Sequence, residues 1–140
     1  MQTEPDLQRF LTAQEKVYPV ALEEIRNGRK RTHWMWYIFP QVRGLGSSSY
    51  STFYGIADLK EAEAFLNHPI LGKRIQEIAM ALLDQETNDA RAIFGSPDDL
   101  KLRSSMTLFS SLSQAPPVFQ KVLEKFFDGA KDQRTLELLR

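Results

Sequence analysis

Five basic side chains, Arg26, Arg29, Lys30, Arg31 and Arg43, fall within residues 25–57, a stretch that contains no aspartate or glutamate. The stretch therefore carries a formal +5 in a chain whose 18 acids and 18 bases cancel, so the excess is local. Rings gather in the same place: Trp34, Trp36, Tyr37, Tyr50, Tyr54 and the imidazole of His33. Cations beside aromatic faces attract anionic or planar ligands, through charge and through the ring quadrupole. Arg29, Lys30, Arg31 and Arg43 are the candidate anion holders, and Trp34, Trp36 and Tyr54 the candidate stacking surfaces.

Arg43 precedes Gly44-Leu45-Gly46 and three serines, and such a loop can offer backbone N–H groups and hydroxyls to a phosphate or carboxylate. The glycine pair matches neither a dinucleotide fingerprint nor a P-loop. His33, between the cations and the rings, is a candidate proton carrier, although a histidine bonded to a backbone carbonyl is the plainer reading. In FGSPDDLKLRSSMTLFSS, helical spacing stacks Asp98, Lys101 and Ser105, with Ser104 beside them. An acid, a lysine and a hydroxyl on one face suit base or nucleophile chemistry, and equally a surface pair on a packing helix. His33, Lys101 and Ser104 are thus the candidates for chemistry. The two histidines, His33 and His68, show no ligand spacing, so neither a metal nor a cofactor is expected. The lack of cysteine excludes disulfides and thiolate chemistry.

The elements that must position these groups read as helices. Leu7, Phe10, Leu11, Val17, Tyr18, Ala21, Leu22 and Ile25 recur at helical spacing, with Asp6 placed as a cap after Pro5 and a break expected at Pro19. Asn27-Gly28 ends this element. The run 29–40 fits a buried helix or a strand, and 41–55 reads as a loop with a short helix near residues 49–54. Asp58 with Glu61 resembles a capping box, followed by a helix to Leu66. Further helices are expected over 70–84, from an Asn88 cap to Phe94, from a Ser96 cap with Pro97 in first position to Ser111, from Pro117 to Gly129, and over 133–139. The fold class is therefore all-α: residues 1–140 as one domain of about six to eight short helices with one irregular Gly/Ser-rich loop. A chain of 140 residues holds one core. No run approaches the roughly 20 apolar residues of a membrane span, and the polar start resembles no secretory signal, so a cytoplasmic monomer is expected.

Two stretches, GRKRTHWMWYIFPQVRGLGSSSYSTFYGI and IFGSPDDLKLRSSMTLFS, together with DLQRFLTAQ near the start, resemble the bacterial domain-of-unknown-function family 1810 over almost the whole chain. The resemblance implies a small, mainly helical domain and brings no catalytic assignment. Some members carry a calpastatin label. That inhibitor is a disordered repeat protein, whereas this chain has no repeats and a core-forming composition.

The residues point to a small anionic ligand, phosphate-like, nucleotide-like or ADP-ribose-like, held between residues 29–54 and the helix that begins near Ser96. The competing reading is a non-enzymatic module that binds an acidic protein or single-stranded nucleic acid, since single strands need rings beside cations. Zero net charge weighs against a general nucleic-acid coat.

Overall fold

The computed structural model describes residues 6–140. Among the described residues there are ten helices: α1 (Gln8–Gln14), α2 (Tyr18–Arg26), α3 (Met35–Ile38), α4 (Ser49–Tyr54), α5 (Leu59–Asn67), α6 (Leu71–Leu83), α7 (Ala90–Phe94), α8 (Asp98–Ser110), α9 (Val118–Phe127) and α10 (Gln133–Leu138). The one extended pairing described is an isolated parallel bridge between Val42 and Ile56. The architecture is all-α, as the spacing implies. The helices outnumber the six to eight expected: the chain turns at residues 15–17, between α1 and α2, and the cation-and-ring stretch holds two short helices of its own, α3 and α4.

At the centre lies α8, which packs against α5, α7, α9 and α10, while α6 packs against α2, α5 and α9. Leu102, Met106 and Phe109 form its apolar stripe and are fully buried. The Phe109 ring sits 5.5 Å from Phe65 and 5.6 Å from Phe119, centroid to centroid. Burying a phenylalanine of this kind stabilises by about 2–3 kcal/mol. From Ser104 to Phe109 the other faces of α8 are enclosed too, and Ser104, Ser105 and Thr107 put small side chains there. Thr107 satisfies its hydroxyl by donating to Arg103 O at 2.8 Å.

Helix ends follow local chemistry, with a few corrections. Asp6 does not hold the cap position of α1, which falls to Leu7 with no side-chain cap; it accepts from Gln8 N at 3.2 Å from one residue earlier, and Pro5 lies outside the described residues. Pro19 sits in the first turn of α2, where its missing N–H costs nothing. Gly28, at φ 81°, closes that helix in a backbone region that other residues rarely adopt. Asp58 caps α5 by accepting from Glu61 N at 2.9 Å. The cap of α7 is Asp89, not Asn88, because Asn88 instead accepts from Lys125 Nζ at 2.9 Å. Ser96 does not cap α8: Pro97 occupies the cap position, leaving the serine one residue early. Asp132 caps α10. No helix of the described residues is long and apolar enough to cross a membrane.

Candidate functional site

The cation run leaves α2 and is folded by one buried carboxylate. Glu24 Oε1 accepts from Arg31 N (2.7 Å), Thr32 N (3.1 Å) and Trp34 Nε1 (2.9 Å), and Oε2 accepts from the Thr32 hydroxyl (2.7 Å). Burial alone would raise the Glu24 pKa, but these hydrogen bonds outweigh it and hold the group below the ordinary glutamate value. The result is a fixed turn that delivers Trp34 into the core and Trp36 toward solvent.

Two expected ligand contacts are overturned here. Trp34 is 0% exposed and packs on Phe39 and Phe94, so no ligand can stack on it. Lys30, its side chain 7% exposed, pairs with Asp98 at 2.9 Å and ties the turn to α8 rather than facing an anion. Arg29 and Arg31 are exposed and line neither of the concavities described below.

Arg43 is redirected as well. Its Nε donates to Thr52 O (3.1 Å) and its guanidinium also donates to Gly55 O (3.0 Å), while Arg9 donates to Phe53 O (2.8 Å) and Gly55 O (3.1 Å). Arg9 is itself held by Glu61 at 3.0 Å. Two cations thus satisfy the C-terminal carbonyls of α4, where the helix dipole favours positive charge. Because α4 has no buried residue, these bonds are a large part of what holds it. Arg43→Ala is expected to cost about 1 kcal/mol globally and to raise amide exchange across residues 48–55 several-fold. Hydrogen–deuterium exchange unchanged in that segment would contradict the brace.

Between this segment and α8 opens a cleft of about 500 Å³. Its lining includes Trp36, residues 45–48 and Ser51 on one side, Pro97, Leu100, Lys101 and Ser104 on α8, and Asp132 and Arg134 at the start of α10. Lys101 Nζ stands 4.9 Å from the Trp36 ring centroid and 3.3 Å from Asp98. Asp132 is already engaged, accepting from Ser104 Oγ at 3.2 Å and Thr135 N at 3.0 Å and facing Arg103 at 3.8 Å. Counting the ion-paired neighbours, Lys30, Lys101, Arg103 and Arg134 stand against Asp98 and Asp132, an excess of two positive charges. Arg134 makes no ion pair among the described residues.

A second concavity of about 450 Å³ adjoins the first, lined by Ala13, His33, Trp36, Tyr37, Tyr50 and Tyr54. Trp36 belongs to both. The three candidates for chemistry therefore divide: Lys101 and Ser104 share the cleft, and His33 lies on the other side of Trp36. Ser105 does not join Lys101, because it is fully buried in the core with its hydroxyl unpartnered. Sequence reading missed Glu24, Arg134 and Asp132. Asp132 precedes a recognisable helix and was legible as a cap; nothing in the sequence marked the other two.

The model for the family described as "Protein of unknown function (DUF1810)" matches residues 4–139. The crystal structure of the conserved hypothetical protein Rv1873 from Mycobacterium tuberculosis superposes with a TM-score of 0.93 at 49% identity, covering 96% of each chain. Among curated proteins none matches. The family match spans nearly the whole chain and the superposition carries the same fold, and on these grounds the chain belongs to the DUF1810 family.

Proposed function

We propose that this protein binds a small anionic, phosphate-like ligand in the cleft between the Gly/Ser segment and α8. One observation carries the reading: Lys101 and Arg134 line a concavity whose one lining carboxylate, Asp132, already faces Arg103, while Lys101 shares its own partner, Asp98, with Lys30. An incoming anion therefore meets a surplus of positive charge and the hydroxyl of Ser47, while Ser48 and Ser51 spend theirs on capping α4. The concave shape suits a small ligand better than a macromolecular face does. The competing reading, a module for an acidic protein or a single strand, draws on the exposed Arg29, Arg31, Tyr50 and Phe53.

Calorimetric titration with pyrophosphate at low ionic strength separates the two. Lys101→Ala and Arg134→Ala are each expected to weaken binding roughly tenfold, the worth of one charge-assisted hydrogen bond. Arg29→Ala and Arg31→Ala should leave it within about twofold, since an exposed cation outside the cleft adds little. The reverse pattern would move the site to the exposed run, and no binding at all would remove the anion reading.

A further inference from the structure

We propose that the anion held in the cleft carries a flat heteroaromatic ring, and that this ring lies on the aromatic shelf on the other side of Trp36. The inference rests on the anion-binding reading of the cleft and adds a second, chemically distinct subsite to it. Charge and rings are segregated across one side chain. The shelf lining contains no lysine, arginine, aspartate or glutamate, only Ala13, His33 and four aromatic rings, so it has nothing to hold a phosphate and much to hold a neutral planar group. The cleft has the complementary character, with Lys101 and Arg134 and a single ring, Trp36. That one indole lines both, so a ligand of nucleotide size spans the two subsites without leaving protein contact.

Tyr37 and Tyr54 anchor the shelf against the core, and Tyr50 offers its free edge. Tyr50 is 58% exposed although it lies 5.1 Å from Trp36 and 6.3 Å from Tyr54, the latter with ring planes only 10° apart. Tyr37 completes the surface 5.1 Å from Tyr54. Four clustered rings, with Tyr50 exposed and Trp36, Tyr37 and Tyr54 half-buried beside it, form a platform on which a heteroaromatic base can stack. The rim is polar. The hydroxyls of Tyr50 and Tyr54 have no protein partner among the described residues, whereas Tyr37 donates to His33 O at 3.2 Å. Free hydroxyls and the His33 imidazole can meet the ring nitrogens and exocyclic groups of a base. A ligand with charge at one end and a flat ring at the other, of which a nucleoside monophosphate is the simplest kind, matches both subsites together.

The test compares AMP and CMP with ribose 5-phosphate, which keeps the anion and lacks the ring. Binding is followed by fluorescence, where Trp36 at the shared wall reports and Trp34 in the core does not. Both nucleotides are expected to bind about tenfold tighter than ribose 5-phosphate, a typical contribution of one stacked base. Tyr50→Ala should abolish that advantage and leave ribose 5-phosphate unchanged, while Tyr50→Phe should retain it. Unfolding midpoints of the two variants check that α4 remains in place. Equal affinity for nucleotides and ribose 5-phosphate, or nucleotide binding indifferent to Tyr50→Ala, would overturn the ring subsite and leave the anion cleft standing. Failure of ribose 5-phosphate and both nucleotides alike would overturn the cleft reading together with this one.

Discussion

Replacing Glu24 by alanine is expected to destabilise the fold by about 3 kcal/mol, because it strands the buried Trp34 indole N–H and releases the turn that the carboxylate ties down. Trp34 Nε1 lies in a fully buried side chain and would lose its bond outright. Arg31 N and Thr32 N belong to exposed residues and can turn to water, which limits the total. Glu24→Gln keeps the oxygen that serves Arg31, Thr32 and Trp34, and the Thr32 hydroxyl can rotate to accept from the new amide. Its cost should be about 1 kcal/mol. Urea unfolding at neutral pH measures both, and an alanine cost below that of glutamine would contradict the role given to the carboxylate.

The same group sets a pH dependence. Its pKa in the folded state is held below the ordinary value of 4.5, so its contribution is complete above that value and declines as pH falls through the lower folded one. The stability gap between the native chain and Glu24→Gln should therefore narrow as the solution is acidified below pH 4.5. A gap that widened would reverse the sign of the argument.

Gly72→Ala provides the second large effect, and here helix propensity and packing disagree in sign. Alanine is the better helix former by up to about 1 kcal/mol, which on propensity alone would stabilise α6. An added Cβ at Gly72, however, would stand 1.9 Å from Leu66 O and 2.8 Å from Leu66 C, both backbone atoms that cannot rotate away. The tight turn from α5 to α6 would have to open. Overpacking against backbone of this kind costs about 3 kcal/mol, so the urea midpoint is expected to drop well below that of the native chain. An unchanged or raised midpoint would show that the turn opens freely.

Legibility divided along the range of the interactions. Periodic helices such as α6 and α9, and end signals such as Asp58, Gly28 and Pro117, depend on neighbours a few residues away and were readable from spacing. What escaped were partners distant in sequence: Arg9 with Glu61 and Lys30 with Asp98 meet only after folding. The acid-free stretch was correctly seen as unusual, yet its charge is partly answered from outside, by Glu24 on its backbone and Asp98 on Lys30. Ring burial shows the same limit. Trp34 and Trp36 are two residues apart, and it is Trp34 that bonds Glu24 and packs on Phe39 and Phe94 in the core, partners its own neighbourhood in sequence does not announce. Of residues 29–54, expected to face the helix that begins near Ser96, the cleft takes Trp36, Gln41, residues 45–48 and Ser51, whereas the cations that line it, Lys101 and Arg134, come from α8 and α10 rather than from the basic run.

The most direct measurement is an amide NMR titration of the native chain with inorganic phosphate. The account predicts saturable shifts clustered at residues 45–51, 98–104 and 132–135, with residues 26–31 unmoved. Shifts concentrated at residues 26–31, with the cleft silent, would contradict it.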